Sequence, residues 1–288
     1  MTPITTELQT GQPVNAGRQK PSANYTVAEF ILRQLEAWGV KRIFGVIGDA
    51  NLYLLDELAK QNRISYIVCR HEGAAAMMAS AEAKLTGRVS VCLATSGPGI
   101  ANLLNGLADA AMDQAGVLAI TGQVDTSKIG THAKQYMNQQ QLIEPIVGKS
   151  ELLAHPEALP ELMLKSLTHS QLYGKVTHLS IPKDLYQMKV QGTVTPYQPH
   201  LHQKLLAPHS LIAETAVLIA SAKKPAILLG GGAKMAMEPV RQFAEHLQAA
   251  VVTTYLGRPL FPNDHELYAG GWGREAARPP ACCWQKAI

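Results

Sequence analysis

The chain has 288 residues, of which 47% are hydrophobic and 17% are charged, so it holds enough apolar material for one or two globular domains. Its formal charge of +4 is spread along the sequence with no basic run, which argues against a nucleic-acid-binding surface and against a membrane-surface helix. No segment is long and apolar enough to cross a bilayer, so a membrane protein is not expected.

Cysteine usage and the N-terminus indicate the compartment. Cys69, Cys92, Cys282 and Cys283 show no CxxC spacing, and the first two lie in strand-like runs, where a free thiol behaves as a small apolar residue. Residues 1–23 are polar, lack the apolar segment of a signal peptide and are predicted to be disordered. We therefore expect a cytoplasmic protein.

Regular patterns begin at Val27. The run "TVAEFILRQLEAWGV" has apolar residues at helical spacing and predicts a helix over 27–38, with Thr26 as its N-cap and Gly39 as its C-cap. The short strand "KRIFGV", the turn "GDA" and the helix "NLYLLDELAKQ" follow. The next run, "ISYIVC", is predicted to be a buried strand.

The alternation of strands and helices continues along the chain. A helix over 73–86 leads to the strand "VSVCLAT", the turn "SGPG", the helix "IANLLNGLADAAMD" and the strand "AGVLAITGQ". After a less regular stretch, "LPELMLKSLTHSQLYG" and "KVTHLSIPKDL" predict one more helix and strand. Nearly continuous apolar strands separated by helices predict an α/β domain with a doubly wound parallel sheet, covered on both faces.

A change in composition marks a domain boundary. Residues 187–208 are polar, rich in Pro, Gln and His and without a clear period, which is typical of a linker. A second α/β unit begins at "SLIAETAVLIASAKKPAILLGGGAK". We predict a first domain over 24–186, a linker over 187–208 and a partial, Rossmann-like second domain over 209–288.

Glu72 is a carboxylate between a predicted strand and an alanine-rich helix. The carboxyl ends of parallel strands form the edge where an open α/β sheet binds ligands, and Glu72 belongs to that edge. By itself, an acid at a helix start is more often a partner of the helix dipole. Small residues after it, Gly73 and the alanines at 74–76, allow a backbone or a flat ligand to approach.

Two short stretches resemble known catalytic motifs but lack residues that those motifs require. "HEGAA" starts like the zinc signature HExxH, but Ala75 stands where the second histidine is needed. "TSGPG" lacks the lysine of a Walker loop and the glycine before the serine of a GxSxG elbow. Alone, it is typical of a tight strand-to-helix turn.

Taken together, the motifs resemble the pyrimidine-binding domain of thiamine diphosphate enzymes of the acetolactate synthase and pyruvate oxidase group. The resemblance covers 27–185 and is carried by "FGVIGDA", "RHEGAAAMMASAEAKLTGRVSVCLATSGPG", "NLLNGLADA" and "ITGQVDTSKIGTHAKQ". It continues more weakly through "PAILLGGGAK", which corresponds to the family's central domain. It implies a decarboxylating enzyme of 2-keto acids such as pyruvate.

The resemblance gives Glu72 a catalytic role. In the family, the matching glutamate hydrogen-bonds a pyrimidine nitrogen of the cofactor and favours the imino tautomer, whose exocyclic nitrogen deprotonates the thiazolium carbon. For that role the acid has to share a proton near neutral pH, so it needs apolar neighbours. Met77, Met78 and the strand "ISYIVC" are expected to supply them.

Further cofactor-binding positions carry over from the family. Pro98, Gly99 and Asn102 resemble positions lining the pyrimidine ring, whereas Gln135 resembles a polar residue facing the active site. Val46 and Ile47 resemble positions of the first loop at this edge. Two departures affect substrate identity, because Lys134 replaces the usual aromatic residue and Asp49 stands where many relatives have glycine.

The resemblance also implies components beyond these motifs. Family members bind Mg²⁺ and the cofactor diphosphate through a third domain with a Gly-Asp-Gly motif, which this sequence lacks. The central domain holds FAD in some relatives, and "AILLGGGAK" leaves flavin binding open. We interpret the chain as a truncated or frameshifted product that forms homo-oligomers but is inactive alone. Two alternatives stay open: a non-catalytic nucleotide-binding or interaction module, and a small α/β enzyme without thiamine dependence.

Overall fold

A computed structural model of the chain describes residues 23–198 and 207–272. The chain divides into two compact units between His200 and Leu201. The predicted disordered segment, 1–23, lies outside the described residues except for Ala23, which begins a strand. Residues 273–288 of the predicted second domain also lie outside them.

The first unit alternates strands and helices as the sequence predicts. Its strands are β1 Ala23–Thr26, β2 Arg42–Gly45, β3 Ser65–Val68, β4 Ser90–Ala94, β5 Val117–Gln123, β6 Lys149–Leu152, β7 Val176–Pro182 and β8 Lys189–Gly192. Its helices are α1 Val27–Ala37, α2 Leu52–Ala59, α3 Glu72–Thr86, α4 Pro98–Met112, α5 Gln139–Ile143 and α6 Leu159–Tyr173. Short 3-10 turns stand at Asp49–Asn51, Thr126–Lys128, Pro156–Ala158 and Lys183–Leu185.

Six strands form one parallel sheet in the order β3-β2-β4-β5-β7-β6. The chain runs outward from β2 in both directions, so the sheet is doubly wound and the prediction of fold class is confirmed. Two apolar clusters cover its faces, one built with α1, α2 and α6 and the other with α3, α4 and α5. Because both faces are covered, the open edge at the strands' carboxyl ends is the place where loops can form a site.

The first helix begins where the sequence predicts. The Thr26 side chain accepts a hydrogen bond from the Glu29 backbone N–H over 3.1 Å, as an N-cap does. The helix ends at Ala37, one residue earlier than predicted, with Trp38 at the cap position. Gly39 follows with φ +78°, a left-handed conformation that glycine adopts without strain.

A small second sheet extends the first unit beyond the parallel sheet. Strand β1 pairs antiparallel with β8, and Thr26 lies opposite Lys189. Strand β8 falls inside 187–208, the segment predicted as a linker, so the first part of that segment packs as secondary structure. The short β-strand carries no period long enough to be recognised in the sequence.

The prediction that "ISYIVC" forms a buried strand is wrong. Strand β3 is an edge strand that pairs with β2 alone, and its Val68 side chain is 64% exposed. A short apolar run gives the same sequence pattern whether one or both of its sides are covered. Its position at the edge follows from the winding of the sheet rather than from its own residues.

The second unit is a smaller parallel α/β layer. Its elements are α7 His209–Ala220, β9 Ala226–Leu229, α8 Met237–Leu247, β10 Ala250–Thr253 and β11 Tyr268–Gly271, with 3-10 turns at Gly231–Ala236 and Arg258–Leu260. The strand order is β11-β10-β9 and both pairings are parallel. The buried cluster consists of Leu229, Ala244, Val251 and Phe261. The predicted second α/β unit is confirmed.

Candidate active site

Glu72 is the first residue of α3, at the carboxyl edge of the sheet. The His71 ring caps this helix, because its Nδ1 accepts the Gly73 backbone N–H over 3.0 Å. Glu72 is 9% exposed and counts among the buried polar residues. The acid is therefore held inward at a helix start, rather than projecting into solvent as a dipole partner usually does.

One carboxylate oxygen of Glu72 is held by a side-chain amide. Asn102 Nδ2 donates a hydrogen bond to Glu72 Oε2 over 2.9 Å, and this bond joins α3 to α4. The other oxygen, Oε1, lies toward Gly99, where a β-carbon would stand 3.5 Å from it. No hydrogen bond to Oε1 is found among the described residues. The structure thus brings together three of the predicted site residues.

The turn that contains Pro98 is covered by the loop after β5. Gly97 has φ +65°, and a β-carbon there would lie 2.8 Å from the Gln135 carbonyl oxygen. Gln135 itself has φ +64°, a left-handed conformation that is uncommon for a residue other than glycine. Gln135 therefore lies against the glycine turn, while the Pro98 side chain is exposed.

The first loop at this edge reaches the site through Thr95. Val46 is half-buried and packs against the α3 and α4 side of the sheet, whereas Ile47 is 57% exposed. A β-carbon at Gly48 would lie 2.4 Å from Thr95 Cβ, and one at Gly99 would lie 2.9 Å from Thr95 Cγ2. Val46 and Ile47 are therefore on the predicted edge, linked to the glycine turn through Gly48 and Thr95.

Two polar atoms near this group are buried without a partner among the described residues: Thr95 Oγ1 and the Tyr66 hydroxyl. Burial raises the pKa of Tyr66 well above its usual value, and the nearby Cys69 and Glu72 contribute further. The Tyr66 hydroxyl lies beside β2, because a β-carbon at Gly45 would be 2.6 Å from it. Unpaired buried polar atoms beside an inward carboxylate suit a ligand that carries both donors and acceptors.

Of the neighbours predicted for Glu72, Met77 and Met78 are 39% and 42% exposed and Val68 of β3 points outward, so these three do not enclose the acid. Tyr66, from the same predicted strand, lies close enough for the charge of Glu72 to raise its pKa. Both methionines follow Glu72 closely in α3, and their side chains leave the helix on its outer face. Glu72 is instead enclosed by the α4 residues Gly99 and Asn102.

Sequence reasoning missed two polar residues of the site. Thr95 stands directly before the "SGPG" turn, and its position at a strand end was the signal that could have found it. Tyr66 lies within an apolar strand pattern, where an aromatic residue is typical of packing. Its hydroxyl reaches Gly45 only because β3 and β2 are neighbours, which the sequence does not show.

The described residues contain neither a candidate metal cluster nor a candidate membrane-spanning helix. Within residues 23–198 and 207–272, no three His, Cys, Asp or Glu side chains cluster closely enough to hold a metal ion. In the same ranges, no helix combines the length and apolar character needed to cross a membrane.

The fold and the site define a class of protein. It is a doubly wound α/β protein whose candidate site at the carboxyl edge combines an inward carboxylate, a carboxamide and a glycine turn. Comparison with known proteins identifies the family. The model described as "Thiamine pyrophosphate enzyme, N-terminal TPP binding domain" matches residues 25–142, and that of the family's "central domain" matches 212–287.

Similar proteins agree with these matches. The chain is 34% identical over 259 residues to a thiamine pyrophosphate-containing protein of Bacillus subtilis (strain 168), covering 89% of this chain and 45% of that protein. It is 34% identical over 278 residues to the acetolactate synthase isozyme 1 large subunit of Escherichia coli (strain K12), covering 95% and 49%. It is 37% identical over 270 residues to an acetolactate synthase of Mycobacterium avium, covering 90% and 42%.

This chain belongs to the thiamine pyrophosphate enzyme family. It spans about half the length of the relatives that it matches.

Proposed function

We propose that this chain forms the pyrimidine-binding side of a thiamine diphosphate-dependent enzyme that decarboxylates 2-keto acids. In this proposal, residues 24–186 are the pyrimidine-binding domain and residues 209–288 belong to the central domain. The observation that carries it is the inward Glu72 carboxylate, with Oε2 bonded to Asn102 and Oε1 facing Gly99. Names of similar proteins, which include acetolactate synthases, support the reaction class.

Each residue has a task that follows from its geometry. Asn102 fixes the plane of the Glu72 carboxyl group, which leaves Oε1 to share a proton with a ring nitrogen of the aminopyrimidine. Gly99 has no side chain to obstruct a ring in front of that oxygen. When bound, thiamine diphosphate supplies the carbon nucleophile and the electron sink that decarboxylation of a 2-keto acid requires.

The remaining residues shape the cofactor's surroundings. Val46 and Ile47 offer apolar contacts from the first loop, and Pro98 does so from the glycine turn. Gln135 contributes a polar side chain from the loop after β5, close to that turn. We assign the diphosphate group and Mg²⁺ to a diphosphate-binding domain of the kind that the family resemblance implies, since the described residues offer no metal cluster.

The decisive experiment supplies that domain. The full chain is mixed with the purified carboxyl-terminal half of the Escherichia coli acetolactate synthase isozyme 1 large subunit, thiamine diphosphate, FAD and Mg²⁺. Release of CO₂ from pyruvate is expected only when both proteins are present. Glu72→Gln should abolish it, because an amide cannot pass a proton to the ring, whereas Glu144→Gln, at an exposed position, should retain it.

The result that overturns the proposal is equally direct. If the chain gives no CO₂ and no binding of thiamine diphosphate in calorimetry with the partner half, the cofactor role is wrong. Acetolactate among the products identifies a synthase, and consumption of an added electron acceptor identifies an oxidase. Activity that Glu72→Gln leaves unchanged would place the proton transfer elsewhere.

We also propose that a second copy of the chain covers the outer face of α3. The side chains on that face are apolar and exposed at helical spacing: Ala74, Met77, Met78, Ala81 and Leu85. Leu85 is 81% exposed and extends this row of apolar side chains along the helix. Continuous apolar surface of this kind is typical of an association interface.

Light scattering on the purified chain tests this surface. We expect a dimer or larger oligomer that Leu85→Lys converts toward monomer, because a buried unpaired charge opposes association. Tyr173→Lys is the matched control, since Tyr173 is 61% exposed on α6 of the same unit. A monomeric wild-type chain, or equal effects of both variants, would contradict the proposed interface.

FAD is proposed as a second cofactor, bound by the second unit. The glycine run 230–232 follows β9, and a β-carbon at Gly232 would meet no atom within 4 Å. Such open backbone beyond a parallel strand suits approach of a dinucleotide. Quenching of FAD fluorescence on titration with the chain is expected, and Gly232→Val should weaken it. Unchanged fluorescence at saturating protein would exclude the flavin.

A further inference from the structure

The loop between β5 and α5 is held in an unfavourable conformation at one point. Gln135 has φ +64°, and its Cα would stand 3.1 Å from a β-carbon at Gly97. Backbone in the left-handed region costs a non-glycine residue free energy, so surrounding structure has to maintain it. The residues that provide this support are found at the two ends of the loop.

At the carboxyl end of the loop, a buried glutamine ties α5 to the sheet. Gln139 is fully buried, and its Nε2 donates to the Gly122 carbonyl oxygen over 2.8 Å. Its Oε1 accepts from the Thr121 hydroxyl. Because a carbonyl oxygen can only accept, the Gly122 contact fixes the orientation of the Gln139 amide and makes Thr121 the donor.

The orientation of the Gln139 amide also determines the tautomer of a buried histidine. The Thr121 hydroxyl has a single proton, which it gives to Gln139, so its oxygen must accept from His178 Nε2 over 2.8 Å. His178 is therefore the Nε2–H tautomer, and its Nδ1 accepts the Ser150 hydroxyl over 2.8 Å. The five groups form one directional chain from Ser150 on β6, through His178 on β7 and Thr121 on β5, to Gln139 and the Gly122 carbonyl.

Other contacts also fasten the loop at its ends. Gln123 Nε2 donates to the Met137 carbonyl oxygen over 3.0 Å, next to the start of α5. At the other end, the Thr126 backbone N–H donates to Asp184 Oδ1 over 2.9 Å. Only the Gln139 contacts are fully buried, where a hydrogen bond is strong and an unpaired partner is costly.

We propose that Gln139 is a positioning residue for the site. The series of hydrogen bonds from Ser150 to the Gly122 carbonyl fixes the start of α5 and thereby holds Gln135 against the Gly97 turn. The arrangement is built on the three neighbouring strands β5, β7 and β6 and does not depend on the cofactor. Its consequence for catalysis rests on the proposed function, because it acts through Gln135 and the glycine turn. The structural and catalytic parts are therefore tested separately.

The structural test uses Gln139→Met, which keeps the shape of the side chain and removes its hydrogen bonds. Hydrogen–deuterium exchange of amides in 124–138 should accelerate about tenfold at a pH and temperature where the chain stays folded. The matched control is Gln140→Met on the same helix. The wild-type Gln140 amide donates hydrogen bonds to the Ser180 hydroxyl and to the Glu151 carbonyl oxygen instead. It should leave exchange in the loop within about twofold of wild type.

A second pair of variants changes Thr121, whose hydroxyl donates to Gln139. Thr121→Val removes the hydroxyl and should reproduce the effect of Gln139→Met, whereas Thr121→Ser keeps the hydroxyl and should behave like wild type. Nitrogen NMR of labelled histidine should show His178 as the Nε2–H tautomer in the wild-type chain. An Nδ1–H tautomer, or loop exchange that Gln139→Met leaves unchanged or that Gln140→Met raises equally, would overturn the proposal.

The catalytic part is tested with the reconstituted enzyme. Gln139→Met should raise the KM for thiamine diphosphate about tenfold at nearly constant kcat, because the site is loosened rather than deprived of a reacting group. If Gln139→Met accelerates exchange in the loop but leaves KM unchanged, the catalytic part of the proposal is wrong and the structural part is retained. Failure of the proposed function is recognised differently, because the wild-type chain would then show no cofactor-dependent activity at all.

Discussion

Asn102 Nδ2 lies 2.9 Å from Glu72 Oε2, and this hydrogen bond joins the start of α4 to the first turn of α3. The pair sets the direction of a carboxylate that would otherwise rotate freely at a helix start. Since Asn102 is itself exposed, the contact stands at the boundary between the protein interior and the open edge of the sheet.

The first prediction concerns this pair. Asn102→Asp places a second carboxyl beside Glu72, so we expect the free energy of unfolding to fall by about 1 kcal/mol at pH 7 through like-charge repulsion. Urea unfolding should show that the loss becomes smaller as the pH falls, because the repulsion ends when one member of an interacting carboxyl pair is neutral. Asn105→Asp, three residues further along α4 and exposed, is the control and should show neither effect. Equal losses in the two variants would contradict a direct interaction.

The second prediction concerns the glycine turn. Gly97→Ala is expected to destabilise the first unit by more than about 2 kcal/mol, because φ +65° disfavours a side chain and the new β-carbon would meet Gln135. Gly130→Ala separates these causes, since Gly130 has φ +82° but no atom within 4 Å of the new carbon. It should cost about 1 kcal/mol from backbone strain alone. Chemical denaturation that finds the same loss at both positions would show that the contact with Gln135 is unimportant.

The third prediction concerns strain at Gln135. Replacing Gln135 by glycine relieves the unfavourable φ +64° and should stabilise the chain by about 0.5–1 kcal/mol, while reducing activity of the reconstituted enzyme. Gln114, with φ +53° after the end of α4, carries similar strain away from the site. Gln114→Gly should be equally stabilising and leave activity unchanged. Thermal unfolding and a pyruvate assay distinguish the two variants, and a stabilised but fully active Gln135→Gly chain would contradict a role for the side chain.

The fourth prediction concerns His178 and pH. Burial lowers the pKa of His178 from 6.5 to about 3 in the folded chain. Below pH 6.5, His178 binds a proton in the unfolded chain but not in the folded chain. His178 therefore favours unfolding increasingly as the pH falls from 6.5 toward 3. Well inside this window the contribution changes by about 1.4 kcal/mol per pH unit, and above pH 6.5 it is absent.

Urea unfolding between pH 4 and 7.5 measures this effect. His178→Gln keeps hydrogen-bonding groups without a titrating proton, so its free energy of unfolding should depend less steeply on pH than that of wild type. His132→Gln, at an exposed position in the loop after β5, is the control and should keep the wild-type slope. Parallel curves for His178→Gln and wild type would show that the buried ring does not govern the acid side of stability.

The strand pairings and the buried hydrogen bonds of Gln139 could not be predicted from the sequence. Gln139 lies in a polar run, "KQYMNQQQ", that is typical of a solvated loop, yet its side chain is fully buried. His178 lies in a strand pattern in which nothing marks its partners. Which polar side chains meet depends on strand order, and β5, β7 and β6 are neighbours in space although long segments of chain separate them.

The sequence by itself determined the alternation of strands and helices, the parallel doubly wound sheet, the family and the position of Glu72 at the start of α3. The family was indicated by the resemblance of the ordered motifs, and the other features follow from local signals, namely apolar periodicity, capping residues and glycine turns, which act between residues close in the chain. Only the tertiary structure decided that β3 is an edge strand, that Asn102 and Gly99 rather than the methionines surround Glu72, and that Gln139 anchors the loop of Gln135. Those features depend on contacts between distant segments, and a contact of that kind exists only after the sheet has brought its partners together.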